Sequence, residues 1–576
     1  MGPTSSRERW LFRLLIIGGP TGLGVVITLS LWVTQMHLQR SVVLQVQQTW
    51  RPGEQLAVRA QLLDPQQRSI EEAQARLAWL DPSGARSPLT QLDLVPGNGV
   101  FQGRFHTPQQ LPPRITLELE FDEVAREPVV ERIPIDVRDE RPAATARNTL
   151  ASTTLQWADD TDPQASPWHI DLVPAGRMLS AFDNTFLVRV TRADGSPVPT
   201  EVRVGLVSGE FAGRVGDERQ PPIVFNGSTD ALGLAHFSGL LASEVVRFDV
   251  AVEPPSEANE PTKPKDTASP TRPDPTSAAR PKTTPAPASD QAPPRWSRRF
   301  RLVSYAGGVH LIVDRVAARP GETVSVTTQS LRRGRRVHID VHAPDGTWTD
   351  SVAPGPVGVR ETTWSYRAPA DAEPGVVQLE AYPYTNAPGE SSALARIQLL
   401  APDDRDQGIA ALVARQRARL EVPRVDKHFD PEHERKWLDG VAALTTEREL
   451  DSARRWLIGT LPIELYGPPL AISTREREKQ KIADRKRTWT IALRWTLLGG
   501  GGLLIVIAGY AVSRVHTTTT TAIDAELTAA GWSDEAIAEH RQDKRALLLR
   551  GFLLITILVA SLILSLVLLE SLVWVA

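Results

Sequence analysis

Residues 115–121 read Ile-Thr-Leu-Glu-Leu-Glu-Phe. Ile115, Leu117, Leu119 and Phe121 alternate with Thr116, Glu118 and Glu120. Successive side chains of an extended chain point to opposite faces, so the pattern predicts a strand with one apolar face and one wet face. Working outward, Leu56, Val58, Ala60 and Leu62 alternate in the same way. Asn98-Gly99 supplies the positive φ that a hairpin turn needs. Short strands at even spacing predict a β-sandwich over residues 41–140.

Two further β units follow. In the first, 169–253, Phe186, Val188 and Val190 alternate, then Val202, Val204 and Leu206, and last Val246, Phe248, Val250 and Val252. Asp194-Gly195 and Asn226-Gly227 read as its turns. The second runs over 295–402. Between them, 254–294 is dense in Pro, Thr, Ala, Ser, Lys and Asp and lacks large apolar residues. Such a stretch cannot bury enough surface to offset ordering entropy, so a disordered, semi-extended linker is expected.

Arg51-Pro52-Gly53-Glu54 precedes Leu56 and Val58, and Arg319-Pro320-Gly321-Glu322 precedes Val324 and Val326. Pro followed by Gly makes a turn, and a half-buried strand leaves it. The second turns, Asp81-Pro82-Ser83-Gly84 and Pro344-Asp345-Gly346, extend the repeat. These motifs, with Asn98-Gly99-Val100-Phe101, resemble the sandwich modules of the alpha-macroglobulin family. Thr229-Asp230, Gly233, Ala235 and Phe237 resemble bacterial immunoglobulin-like modules. The resemblance implies an extracytoplasmic array of binding modules. The thioester of trapping macroglobulins needs a cysteine, and this chain has none. Covalent protease trapping, disulfides and thiolate chemistry are thereby excluded.

Apolar runs bracket the β units. Leu11–Val33 is long enough to cross a bilayer, follows Arg7 and Arg9 at 1–10, and lacks a small-x-small cleavage site. Further spans are expected at 489–512 and 547–575, with a short helical loop at 515–545. From Asp404 the period turns helical: Ile409, Leu412 and Val413; Trp437, Leu438 and Val441; Leu450, Ala453 and Leu457. A helical membrane-proximal region is expected over 404–487, with Pro431 at a helix start and Ser473–Glu476 as a capping box. Basic residues flank both later spans, but the first span and the length of the loop favour placing 34–487 in the periplasm.

The fold class expected is a mainly β ectodomain of tandem immunoglobulin- or macroglobulin-like sandwiches, with a helical stalk and three transmembrane helices. A net charge of -3 and the lack of a basic face point away from nucleic acid. His338, Asp340 and His342 share one face of a strand and are the candidate metal ligands. The competing reading puts Val337, Ile339 and Val341 on the core and leaves the triplet wet. His428, Asp430, Glu432 and His433 form a second polar cluster, and Glu570 is an acidic residue in the last span. There is no G-x-S-x-G, Walker loop or H-E-x-x-H. The function expected is non-catalytic binding or scaffolding of an envelope partner at the bacterial inner membrane, without a cofactor. The rivals are an accessory subunit of a transport or signalling complex and a metal enzyme built on the His338 strand.

Overall fold

The computed structural model describes residues 19–34, 40–123, 126–140, 143–150, 156–157, 168–212, 223–253, 296–331, 334, 336–355, 361–383, 392–402, 408–421, 431–533, 549, 552–553 and 555–567. The chain forms mainly β-sheet domains with a helical region. It divides into two compact units. The larger holds 44–61 and 71–472; the other holds 1–43, 62–70 and 473–576.

In the larger unit, the first module runs in strand order 49–50, 129–137, 114–123, 73–80, 86–95, 100–106 and 55–63. Its alternating residues do what their period demands. Leu117, Leu119 and Phe121 are buried, and Phe121 meets the edge of Phe101 at 5.5 Å. The hairpin after Val95 uses four residues rather than a two-residue turn: both Gly97 and Gly99 have positive φ, and the next strand begins at Val100.

The second module has two sheets, ordered 156–157, 296–303, 245–253, 201–208, 223–228 and 168–174, 183–192, 234–241, 211–212. Phe186, Phe211, Phe237, Phe248 and Phe300 fill the space between them. Two sequence expectations change here. Asn226-Gly227 is not a turn but lies inside a strand, paired with Arg203 and Val202. A Cβ on Gly227 would stand 2.8 Å from the Phe225 ring, so this glycine makes room for an aromatic. Trp296–Val303, expected to open the third module, instead pairs antiparallel with Val245–Val252. Its apolar residues Phe300 and Leu302 therefore join the second core.

The third module packs a three-stranded sheet (309–313, 323–330, 361–367) on a five-stranded one (317–318, 393–399, 375–382, 338–342, 348–352). Three helices follow: α2 (Ile409–Leu420), α3 (Pro431–Ala442) and α4 (Glu447–Gly459), with α1 being Gly19–Thr34. Their apolar residues share one cluster with Leu187, Leu232 and Leu234 of the second module and Val376 of the third. Of the 404–487 region expected to be a stalk, the part 409–461 is thus a layer packed on the modules. Strand Ile463–Leu465 continues it by pairing with Asn148–Leu150 of the first connector.

In the smaller unit, α5 spans Arg475–Ala529 without a break, and α6 spans Ile555–Val567. Helix α5 starts one residue later than a Ser473 cap requires. Thr474 is the N-cap and makes no side-chain cap bond; its hydroxyl instead accepts the Val42 N–H at 2.8 Å. The helix also runs through the first half of the expected 515–545 loop. Thr517, Thr518, Thr520 and Thr521 return their hydroxyls to carbonyls three or four residues back, and no breaker intervenes before Gly531. Among the described residues, α5 is the one helix both long and apolar enough to cross a membrane. Val33, Leu493 and Leu497 are buried together, with Leu29, Leu562 and Leu566 against them. A Cβ on Gly501 would stand 2.6 Å from Leu562, so one member of the glycine run is a close-packing point.

Candidate functional site

The strand His338–His342 carries the sequence's strongest chemical candidates. Ile339 and Val341 enter the third core, which leaves His338, Asp340 and His342 on the opposite face, as alternation requires. That face is not wet. All five residues are buried, because other parts of the chain cover the sheet there.

Arg59, from strand Gln55–Leu63 of the first module, reaches across and donates from Nη2 to Asp340 Oδ1 at 2.6 Å. The same guanidinium donates to Ser351 Oγ at 2.6 Å and to the Tyr382 hydroxyl at 2.8 Å. Tyr382 donates its own proton to the second oxygen of Asp340. Trp348 and Tyr382 flank the guanidinium with ring centroids at 5.4 and 5.7 Å. Burial works against the Arg59 charge, but Asp340 and Tyr382 outweigh it and keep it protonated. Burial also pushes the Tyr382 phenol well above its ordinary value, which keeps it a donor.

The two histidines lie at the ends of this seam. His338 Nε2 is 3.1 Å from the Asn98 amide of the first module. Burial, with Arg59 nearby, pushes His338 down to about 3, so it is neutral. His342 Nε2 stands 3.6 Å from Glu380. Glu380 in turn accepts the backbone N–H groups of Tyr466 at 2.7 Å and Gly467 at 2.9 Å, and the Gln378 amide at 2.6 Å. The strand thus brings the triplet onto one face, but each member faces a different partner. Among the described residues, no group of three or more His, Asp or Glu is arranged to hold a metal ion.

The two Pro-Gly turns share a local design. Gly53 has φ of 74° and Gly321 of 81°. In each motif the glutamate side chain accepts the backbone N–H of the preceding arginine: Arg51 to Glu54 at 2.5 Å, Arg319 to Glu322 at 2.9 Å. Pro52 and Gly53 also line a cleft of about 510 Å³ between the first and third modules, shared with Asp345 and Tyr366.

A second buried polar cluster gave no sequence signal beyond His433. Arg189 donates to Asp171 and to Glu434, at 2.7 Å each, between the rings of Trp437 and Trp456. His169 and Asp171 lie two apart on one strand and Arg189 on the next, while Glu434, Trp437 and Trp456 come from distant helices. Glu432 of the proposed polar cluster pairs with Arg435 instead, while His428, Asp430 and Glu570 lie outside the described residues.

No protein-family model matches this chain, and no curated protein matches it. Solved structures similar to it include trypsin-activated alpha-2-macroglobulin from Escherichia coli (9% identity, 64% of this chain, 24% of that chain, TM-score 0.15). The native conformation of the E. coli protein is similar as well (11% identity, 63% of this chain, 22% of that chain, TM-score 0.15). A tetra-tandem repeat from the extending region of a large adhesion protein shows 10% identity over 62% of this chain and 74% of that one, with a TM-score of 0.14. The chain thus spans about a quarter of the length of those macroglobulins.

Proposed function

We propose that this chain is an integral protein of the bacterial inner membrane that holds tandem β modules in the periplasm for non-catalytic binding or scaffolding of an envelope partner. The observation that carries membrane integration is the outward-facing apolar surface of α5. Trp495 is 71% exposed, Leu503 62% and Val506 67%. Water penalises such a surface and lipid does not. The spans 11–33 and 547–575 complete the anchor in this reading, as their apolar length suggests.

The scaffolding half rests on where the polar side chains go. Arg59, Asp340 and Tyr382 are committed to one another across two modules, and Glu380 to the backbone at 466–467. Groups held this way fix module geometry and are not poised for turnover. A second reading, an accessory subunit of a membrane complex, draws support from Gly499, Gly500 and Gly502. Among the described residues, nothing lies within 4 Å of a Cβ built on any of them, which leaves a face for another helix.

In-cell photocrosslinking from surface positions of the three modules, read by mass spectrometry, tests the proposal. Repeated capture of one envelope protein, retained when 489–576 is exchanged for an unrelated anchor, is expected. Capture lost with that exchange would favour the accessory-subunit reading.

A further inference from the structure

Helix α3 meets the second module through two imidazoles. The His433 ring stands 4.5 Å, centroid to centroid, from that of His169 on strand Trp168–Pro174. His169 Nε2 lies 3.1 Å from Asp171 Oδ1. His433 is buried; its Nε2 lies 2.8 Å from the Thr191 hydroxyl, and the ring also bonds the Ala193 backbone. A neutral ring satisfies both contacts, donating from one nitrogen to the carbonyl and accepting the hydroxyl proton at the other.

The surroundings leave little room for a second cation. From the strands come Asp171 and Arg189, and the turn below adds Asp194. Helix α3 itself adds Glu434 and Lys436. Helix α4 contributes the neutral ring of Trp456. Arg189 already engages Asp171 and Glu434, and Lys436 engages Asp194 at 2.6 Å. His169 and Arg189 already share Asp171. An imidazolium at His433 would face the His169 ring and Arg189. There is no slack in the backbone either: a Cβ on Gly195 would stand 2.6 Å from the His433 carbonyl, so helix and turn are in direct contact.

We propose that protonation of His433 releases helix α3 from the second module, making this contact an acid-sensitive latch. Burial, with His169 and Arg189 beside it, holds His433 below its ordinary value. The docked form therefore prefers the neutral ring. Docking is at full strength above the ordinary imidazole pKa of about 6.5. It weakens as pH falls from there toward the docked-state value, because the released form binds the extra proton. Burial alone would raise Asp171, but His169 and Arg189 outweigh it and hold it well below the usual carboxylate range. Lys436 and Ser196 hold Asp194 low too. Neither carboxylate takes a proton in this window, and His433 is the group whose protonation the latch uses.

The test is hydrogen exchange of the full chain in lipid nanodiscs, read by mass spectrometry at about pH 7.5 and about pH 5.5. Acidification should remove protection selectively from 431–442 while the paired strands 201–208 and 245–253 stay protected. His433→Gln keeps a donor and an acceptor without titrating, and should hold 431–442 protected at both values. If that variant fails to dock at either pH, His169→Asn replaces it and should shrink the acid response. The latch is overturned if wild-type 431–442 is equally protected at both values. It is also overturned if the usable variant keeps the full acid response, or if the loss spreads evenly over the module.

Discussion

Arg59 and Asp340, separated by 281 positions, meet at 2.6 Å with both side chains out of water. A charge buried in this way is costly to strand. Breaking a buried pair by removing one partner typically costs about 3–5 kcal/mol, whereas replacing both by apolar groups is often neutral. Asp340→Asn and Arg59→Met should each lower stability by about that amount. Arg59→Met with Asp340→Leu should recover much of the loss. Thermal unfolding of the full chain in detergent checks this; single variants that melt like the wild type would remove the ion pair from the account.

The paired turns give a graded expectation. A β-branched residue at positive φ is strained, by roughly 1–3 kcal/mol. At Gly321 nothing among the described residues lies within 4 Å of a new Cβ, so Gly321→Val meets backbone strain. At Gly53 the new Cβ would fall 2.6 Å from the Gln109 amide, so Gly53→Val must also displace that side chain. Gly53→Val should therefore be the more damaging, and Gln109→Ala should narrow the difference. Equal melting of both variants with the wild type would refute the turn geometry.

His338→Ala with His342→Ala should destabilise the protein rather than pass unnoticed, because both rings are buried. The half-buried Asn98 amide loses its partner, and removing two buried rings leaves cavities, each of which typically costs about 1 kcal/mol or more. Elemental analysis of purified protein should find no metal that follows these residues. A stoichiometric metal in the wild type, lost in the double variant, would revive the enzyme reading.

Strand Trp296–Val303 predicts how the chain behaves when cut. It pairs along its length with 245–252, and Phe300 and Leu302 are buried. Protein cleaved once within 254–294 should co-purify as two associated fragments and separate only on unfolding. Fragments that part under native conditions would contradict the strand pairing.

That strand also shows what sequence reading reaches and where it stops. Period-two runs such as Leu117–Phe121 and helical sets such as Trp437, Leu438 and Val441 declare which face is buried, because burial repeats with backbone geometry. Alternation does not say which sheet a strand joins, so 296–303 read as the start of a new module when it completes the preceding one. The His338 triplet shows the same gap. Its sidedness was legible from Ile339 and Val341, but the cover over the other face comes from Arg59 and Asn98, hundreds of residues away. His433 stood in a local polar cluster, but nothing in the sequence tied it to His169. Their meeting depends on α3 docking, which no window of sequence contains.

The most direct test of the proposed placement is a pair of reporters fused, one at a time, within 254–294 in bacterial cells. Periplasmic placement predicts an active alkaline phosphatase fusion and a dark cytoplasmic green fluorescent protein fusion. A fluorescent fusion at that site with inactive phosphatase would put the β modules in the cytoplasm and contradict the account.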